Sequence, residues 1–453
     1  MKNRFTIIWG FLAAISVGTV LLMLPVSSPA HTWRSFSDAL FTACSAVCIT
    51  GLTVVNPGTD LSFFGQIVLL VLVQLGCVGI MTAATFFLML VGRRFSFSDE
   101  LAVSSAYGGT GVRGFRSLVL WVVFSLLLFE GIGTLVLHWL FETNPTPGVA
   151  DTPGGLWFRA YFFSVMAFCN AGFSLHVSSL APFGSQPLVL VTMGVLVILG
   201  GFGFIVIHNI FYCVVMSFRR NHLKRGRLSL HTRVVLVSSG LLLLVGFLLF
   251  IAFEFKGTLD PFSLPEKLAV SFFQSVTPRT CGFTVVPLNE THPATRFISE
   301  VMMFIGAAPG GAGGGIKVTT FVVFVCSLVS IYKGRRDVTI FHRTIPQTIV
   351  RQATVIYFFY FVLVAVAMTV LLATETGREG LRFETLLFET VSAVTTTGLS
   401  CGNTTQLLSV PGRLVLMLCM FFGRLGAITV VMLIAGKEEP STIRYPTEEL
   451  VVG

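Results

Sequence analysis

Four consecutive small residues, Thr395 to Gly398, have the types that best suit coordination of an ion by the backbone. They read Thr-Thr-Thr-Gly and follow an amphipathic run that begins at Arg382. Such a stretch can turn its carbonyl oxygens toward an axis, because glycine adopts backbone angles that other residues reach only at a cost. On its own this stretch predicts only a turn, but the chain repeats it.

The repeat is clearest between the two ends of the chain. Residues 36–53 align with residues 383–400 without a gap, and nine of the eighteen positions are identical. Two weaker copies lie between them, and each of the four copies contains a key glycine. These glycines are Gly51, Gly172, Gly282 and Gly398, spaced by 121, 110 and 116 residues. Self-similarity at near-even spacing indicates a repeat architecture, so we expect four units around one axis.

Each copy contributes a row of four candidate ion-coordinating residues, which we call the glycine rows. The rows are Cys48, Ile49, Thr50 and Gly51; Cys169, Asn170, Ala171 and Gly172; Arg279, Thr280, Cys281 and Gly282; and Thr395, Thr396, Thr397 and Gly398. A ring of backbone carbonyls can replace the hydration shell of a monovalent cation. The rows contain no Asp or Glu, which argues against a calcium site built from carboxylates. We expect Arg279 to support its loop from behind by bonding backbone oxygens, rather than to face the ion.

The composition indicates an integral membrane protein. Of the 453 residues, 54% are hydrophobic and only 11% are charged, and the mean hydropathy is +0.85. A soluble domain carries about 25% charged residues. In lipid, the polar groups of the backbone must form hydrogen bonds within the protein. The long apolar runs of this sequence are therefore expected to be helices. The net charge of +9 collects in links between apolar runs, so it is not a sign of nucleic-acid binding.

Each unit follows one plan: an apolar span, a short amphipathic segment, the glycine row and a second apolar span. The units occupy residues 1–92, 117–217, 232–332 and 350–435, and a tail of residues 436–453 follows. The first spans are residues 5–25, 117–141, 232–254 and 350–373; the short segments are 36–49, 157–169, 264–277 and 382–395; the second spans are 62–92, 187–217, 295–332 and 411–435.

The short segments cannot cross a bilayer, which takes about 20 helical residues. We therefore interpret them as re-entrant pore helices. The predicted fold is an all-α polytopic membrane protein of four fused membrane–pore-loop–membrane repeats. Eight transmembrane helices and four re-entrant pore helices would surround a pseudo-four-fold central pore.

Lysine and arginine predict the orientation. They concentrate in the links after the second spans, at residues 93–116, 218–233 and 332–343. Because cytoplasmic loops carry the excess of these residues, we expect both termini on the cytoplasmic side and the glycine rows open to the outside. The other side is richer in acids, which would concentrate cations at the mouth.

The second span of the third unit contains a glycine-rich loop, residues 306–317. Its candidate gating residues are Gly306, Pro309, Gly310, Gly311, Gly313, Gly314, Gly315 and Lys317. So many glycines and a proline break a helix, and irregular backbone at membrane depth is tolerated only against protein or a wet cavity. We therefore expect a flexible loop beside the ion path. It is not a phosphate-binding loop, because Ile316 separates Gly315 from Lys317 and spoils the required spacing.

Two charged residues lie within apolar spans. Arg424, in the fourth unit, has about 13 span residues before it, so we expect it to stay inside the membrane, where an ionisable residue is a functional hypothesis. Glu130, in the second unit, is a similar case, although it could also lie nearer an interface. We therefore count Arg424, together with the glycine-rich loop, among the candidate gating residues.

The motifs VCITGLT, CNAGFSL, SVTPRTCGFT and TTTGLS, with the APGGAGGGIK loop and the FGRLG arginine, resemble the Trk/Ktr/HKT superfamily of potassium transporters. The resemblance covers residues 5–435, and the layout is similar to the membrane pore subunit of the Ktr type. It implies that the four glycines select potassium. Gly51 stands where a serine goes with sodium preference. It also implies that the loop 306–317 and Arg424 gate the pore.

The resemblance further implies partners and a location. The protein is expected in the cytoplasmic membrane as a homodimer, on a cytosolic ring of nucleotide-binding subunits similar to KtrA or TrkA. Potassium is the expected transported ion, and whether sodium activates transport is open. Cys48, Ile49 and Cys281 stand where the resemblance leads us to expect smaller or hydroxyl-bearing residues. Because carbonyl oxygens do the coordination, this difference affects the side-chain packing behind them more than the identity of the ion.

Two other hypotheses stay open at this point. One is a sodium-selective or poorly selective transporter of the same superfamily. The other is a secondary transporter with inverted repeats and ion sites at the midplane, which the two spans per unit disfavour. An enzyme is excluded, because the sequence shows no nucleophile–base set and no metal-ligand cluster.

Overall fold

The computed structural model describes residues 2–79, 115–145, 155–218, 228–378, 380–402 and 404–426. These residues are mostly helical, with one small hairpin among them. Most of the links predicted at 93–116 and 218–233 lies outside the described residues. So do the C-terminal tail and the last parts of the second spans of the first and fourth units.

The first unit contains three helices. They are α1 (Lys2–Met23), α2 (Phe36–Val47) and α3 (Phe63–Val78). A 3-10 turn at Pro25–Ser27 ends the first span, since proline cannot continue the hydrogen-bond ladder. Ser35 and Ser62 cap α2 and α3 by accepting backbone N–H bonds, which satisfies donors that a helix start leaves without partners.

The second unit contains four helices. They are α4 (Phe115–Thr143), α5 (Gly155–Phe168), α6 (Pro187–Phe202) and α7 (Phe204–Phe218). The apolar span predicted at 187–217 is bent, because α6 and α7 meet at an angle of 99°. Gly203 between them has φ 82° and ψ 148°, a conformation that is essentially restricted to glycine.

The second span of the third unit is interrupted at its glycine-rich loop, as the sequence predicts. The helices of this unit are α8 (Leu230–Glu254), α9 (Leu264–Val276), α10 (Pro293–Phe304) and α11 (Val318–Tyr332). After α11, the basic link forms an antiparallel hairpin of β1 (Val338–Ile340) and β2 (Arg343–Ile345), with Thr339 opposite Thr344.

The fourth unit repeats the plan of the first. Its helices are α12 (Gln347–Thr374), α13 (Phe383–Thr395), the single turn α14 (Thr404–Leu407) and α15 (Val410–Leu425). Ser409 caps α15 by accepting from the Gly412 N–H at 3.2 Å.

The length and composition of the helices fit a multi-pass membrane protein. Among the described residues, three helices are long and apolar enough to cross a bilayer, and the bent pair α6–α7 counts as a fourth. Large apolar side chains are exposed along them, for example Phe124 (51%), Leu241 (60%) and Phe361 (63%). An exposed apolar surface of this extent favours contact with lipid.

The four short helices α2, α5, α9 and α13 form the buried centre. Each packs against the first long helix of its own unit. Their aromatic residues Phe41, Phe163, Phe273 and Phe388 are at most 1% exposed. The elements too short to cross a membrane are therefore the ones most deeply enclosed by the long helices.

Candidate ion pathway

The loops that follow the four short helices share one backbone pattern. Two residues before the key glycine, each loop has a non-glycine residue with positive φ: Ile49, Asn170, Thr280 and Thr396, at 51° to 71°. The key glycines themselves have φ between 69° and 89°. L-residues seldom adopt positive φ, so its recurrence at one position in four different sequences shows that the loops are held in the same conformation.

The four key glycines meet head to tail. A Cβ added to each key glycine would overlap the carbonyl oxygen just before the key glycine of the next unit. The overlaps are Gly51 with Ala171 O, Gly172 with Cys281 O, Gly282 with Thr397 O, and Gly398 with Thr50 O. All four of these separations are under 3.0 Å, which real Cβ atoms do not show. The cycle passes through every unit and returns to the first. The structure thus brings the four glycine rows to one place.

The carbonyl oxygens of the residues before the glycines are the important groups of this ring. The N–H groups of Thr50, Ala171 and Thr397 donate back to helix carbonyls five residues earlier, at 2.8 to 2.9 Å. In the described part of the chain no hydrogen bond reaches the carbonyl oxygens of Thr50, Ala171, Cys281 or Thr397. All four residues are fully buried. Buried carbonyls normally have partners, so this ring has the chemistry to bind a dehydrated cation.

The side chain of Arg279 does not support its loop in the way the sequence predicted. The guanidinium donates from Nη2 to the Ser239 hydroxyl of α8 at 3.0 Å. We expected backbone oxygens as its acceptors, and this expectation was wrong. The reason is that α8 carries a small hydroxyl residue directly behind the loop, and Ser239 is fully buried there.

The glycine-rich loop is bonded along its length to the break between α6 and α7. Ala308 and Ala312 donate their N–H groups to Gly201 O and Gly200 O, at 2.9 and 3.2 Å, and Phe204 N donates to Gly310 O at 3.2 Å. The bend at Gly203 therefore supplies the backbone groups that hold this irregular segment at membrane depth.

The same loop lies directly against two glycine rows. A Cβ on Gly313 would overlap the Thr280 hydroxyl, and one on Gly314 would overlap the Thr396 hydroxyl. Only residues without side chains fit this close to the rows.

Two basic side chains, Arg424 and Lys317, hold the glycine-rich loop in place by hydrogen bonds. Arg424 Nη1 donates to Ala312 O in the loop, and Nη2 donates to Gly76 O in α3 at 2.6 Å. Lys317 Nζ donates to Gly313 O at 2.5 Å. Bonds from charged donors are about twice as strong as neutral ones. Arg424 thus fastens the third unit's loop to the first unit from its own position in the fourth.

A recurring pair of glycines was missed in the sequence. Gly76 and Gly79, Gly200 and Gly203, and Gly423 and Gly426 occupy matching places at the ends of α3, α6 and α15. The first glycine of each pair leaves no room for a Cβ against the end of a short helix, at Val47, Phe168 or Val394. The signal is a GxxG spacing in three second spans, which could have been found by extending the repeat search beyond the glycine rows.

The structure therefore defines a helical membrane protein in which four buried loops bring their glycines and the preceding carbonyls to one place. Sequence comparison agrees with this class: the family described as "TrkH: Cation transport protein" matches residues 1–444. The chain belongs to this family of cation transporters, and it is not an enzyme.

Full-length relatives carry matching names. The Ktr system potassium uptake protein B of Bacillus subtilis is 35% identical over 446 residues, 98% of this chain and 95% of the relative. The potassium/sodium uptake protein NtpJ of Enterococcus hirae is 34% identical over 447 residues, 98% of this chain and 96% of the relative. The potassium transporter TrkH of Vibrio parahaemolyticus has a similar fold, with a TM-score of 0.67 at 21% identity, covering 96% of this chain and 86% of that one.

Proposed function

We propose that this protein mediates potassium uptake across the cytoplasmic membrane, with the four glycine rows as its selectivity filter. The observation that carries the proposal is the closed ring of four buried carbonyls, from Thr50, Ala171, Cys281 and Thr397, without a partner among the described residues. Four such oxygens at a common axis replace the water that a potassium ion loses on entry. The short helices α2, α5, α9 and α13 act as the pore helices of four repeats.

The names of the relatives support potassium as the ion. The full-length Ktr proteins of Bacillus subtilis and Vibrio alginolyticus, at 35% and 34% identity, are both named potassium uptake proteins. Gly51 supports the same choice, because a serine at this place would add a side chain where none fits.

The glycine-rich loop and Arg424 form the gate in this proposal. The loop lies across the glycine rows at Gly313 and Gly314, and Arg424 holds it to α3. Movement of the loop would open the path. This movement would break the backbone hydrogen bonds from the loop to Gly200 O and Gly201 O.

The arrangement of the whole protein follows from the same proposal. Both termini and the basic links lie in the cytoplasm, including the hairpin of β1 and β2. The protein forms a homodimer, and a cytosolic ring of nucleotide-binding subunits regulates it. The exposed basic residues Arg335, Arg336 and Arg343 would contribute to that docking surface.

A second candidate function is weak selection between potassium and sodium. The name of the Enterococcus hirae relative, a potassium/sodium uptake protein at 34% identity over its full length, favours it specifically. Both functions use the same ring of carbonyls, so only the ion ratio separates them.

The test is uptake in a host that lacks its own potassium transporters. Expression should restore growth at low potassium, and rubidium uptake should exceed sodium uptake. Similar rubidium and sodium uptake would favour the second candidate, and no uptake of either ion would reject the proposed function. Repeating the assay with and without a co-expressed cytosolic partner tests the regulatory ring. Regulation by the ring predicts that the uptake rate differs between these two conditions.

A further inference from the structure

Glu130 is a buried carboxylate that the proposed pathway does not use. It lies in the middle of α4 and is only 1% exposed. The protein encloses its side chain almost completely. A buried carboxylate without hydrogen bonds costs several kcal/mol, so its partners show what keeps it there.

Both carboxylate oxygens have partners, and these come from different units. Gln74 of α3, in the first unit, donates its Nε2 to Glu130 Oε2 at 2.7 Å. Cys169, the first residue of the second glycine row, donates its Sγ to Glu130 Oε1 at 3.4 Å. Among the described residues no lysine, arginine or histidine pairs with this carboxylate. Its two polar contacts are therefore one amide and one thiol.

The backbone of Glu130 is held to the same row. Ser164 of α5 donates its hydroxyl to Glu130 O at 2.7 Å, and Thr134 donates to the same oxygen at 2.7 Å. Ser164 lies five residues before Cys169 on the short helix that presents the second row. The side chain and the main chain of Glu130 thus fix both the helix and the loop that follows it.

The third unit has a comparable contact with different chemistry. There Ser239, in the first long helix, accepts from Arg279, the first residue of the third row. In both units a polar residue of the first long helix reaches the first residue of the row. Between these two contacts, as far as the described residues show, that of the second unit alone continues to a neighbouring unit, through Gln74.

We propose that Glu130 is a positioning residue that sets the ion selectivity of the second glycine row. It holds Cys169 from behind and ties that row to α3, so that the carbonyls of Asn170 and Ala171 keep their distance from the axis. This inference rests on the proposed function of the rows as a filter. A hydrogen-bond network in a dry interior is stronger than its separate pairs suggest, so losing one member should move the loop.

The experiment compares Glu130→Ala and a reciprocal exchange, Gln74→Glu with Glu130→Gln. In the exchange, the new glutamine still accepts from Cys169 and donates its amide to the new carboxylate, so the network is rebuilt in reverse. Glu142→Gln on the same helix is the matched control, because Glu142 is 67% exposed. Rubidium and sodium uptake, apparent rubidium affinity and the amount of folded protein in the membrane are measured for each variant.

We expect Glu130→Ala to lower the rubidium/sodium ratio by roughly three- to ten-fold, as for loss of a buried hydrogen-bond partner, and the exchange to return it to within about two-fold of the parent protein. If Glu130→Ala lowers uptake only in proportion to the folded protein, with ratio and affinity unchanged, the inference is wrong. If the alanine variant does not fold, an exchange variant with the parent ratio supports the inference and one with a lost ratio overturns it.

Failure of this inference can be told apart from failure of the filter assignment. A Gly51→Ser variant tests the ring directly and does not touch Glu130. If Gly51→Ser changes the ratio and the Glu130 variants do not, only the positioning role is rejected. If neither changes it, the filter assignment is rejected as well.

Discussion

Gly51 shows how closely single residues are constrained at the centre of the protein. Its φ is +89°, and a Cβ there would overlap the carbonyl oxygen of Ala171. A non-glycine residue in such a conformation costs on the order of 1–3 kcal/mol. The carbonyl that would be displaced belongs to the ring, so the strain of a substitution acts on one of the proposed coordinating groups.

Gly51→Ser should therefore reduce the preference for rubidium over sodium. The added side chain forces Ala171 O away from the axis, and a ring with one displaced oxygen fits the larger ion less well. The measurement is the ratio of initial uptake rates of the two ions. Gly131→Ser in α4 is the control, since a Cβ at Gly131 meets nothing within 4 Å. An unchanged ratio for Gly51→Ser would contradict the filter assignment.

His176, in the loop after the second row, gives the protein a pH-sensitive contact. It stacks on Phe163 with ring centroids 5.6 Å apart. Burial, and then the nearby Arg159 guanidinium, lower the pKa of His176 from 6.5 to about 4. The folded protein therefore holds the neutral ring, and its stabilising contribution is complete above pH 6.5 and is lost as the pH falls toward 4.

His176→Phe should weaken the loss of stability between pH 6.5 and pH 4. Phenylalanine keeps the stacking but cannot take up a proton. Thermal midpoints of the purified protein at several pH values measure the effect, and His31→Asn, at an exposed position, is the control. Parallel pH curves for His176→Phe and the parent protein would show that other groups cause the loss.

At the scale of elements, interrupted helices replace the simple spans. The break at Gly203 separates α6 from α7, and residues 305–317 separate α10 from α11. The two breaks satisfy each other, because Gly200, Gly201 and Gly310 supply carbonyls that accept across them. Irregular backbone inside a membrane protein is stable only when its polar groups find such partners.

Arg424→Ala should raise the basal ion flux several-fold. The change removes the bonds by which Arg424 joins Ala312 O in the loop to Gly76 O in α3, and so lowers the barrier. Flux into proteoliposomes without a cytosolic partner is the measurement. Shortening the loop within 306–315 should act in the same direction.

Arg335→Ala, at an exposed site after α11, is the control for this effect and should leave the flux unchanged. Parent-level or lower flux for Arg424→Ala, at normal protein levels in the membrane, would reject a barrier role for the arginine.

At the scale of the whole molecule, the last unit closes onto the first. Arg413 of α15 pairs with Asp38 of α2 at 2.7 Å, and α15 packs on α2. A similar pair joins the third and fourth units, where Arg296 of α10 lies 3.8 Å from Glu384 of α13. In both pairs, the second span of one unit holds the start of the next unit's short helix.

The Asp38–Arg413 pair should show measurable coupling in stability. Both side chains are partly buried, at 30% and 18% exposed, so we expect about 0.2–1 kcal/mol, as for partly exposed pairs. A double-mutant cycle of Asp38→Asn and Arg413→Gln, followed by thermal unfolding, measures it. The Arg296–Glu384 pair, with Glu384 73% exposed, should couple less strongly. Additive effects at Asp38 and Arg413 would mean that packing alone closes the ring of units.

Much of the fold could be predicted because length and apolar composition act locally. The bounds of α8 and α12 lie within a few residues of the predicted spans, since the ends of apolar runs are set by the residues themselves. The bend at Gly203 could not be predicted in this way. A single glycine in an apolar helix is usually tolerated, and the contact at this bend, from Phe204 N to Gly310 O, comes from a loop more than 100 residues later in the chain.

The sequence by itself determined which residues are small enough to meet at the axis and which segment must leave the helix, because backbone freedom and hydrophobic length belong to each residue. Only the tertiary structure decided the partners: Arg279 with Ser239, Arg424 with Gly76, and Glu130 with Gln74 and Cys169. These contacts join residues 39 to 348 positions apart, and their geometry depends on how four units pack together. No local property of the chain carries that information.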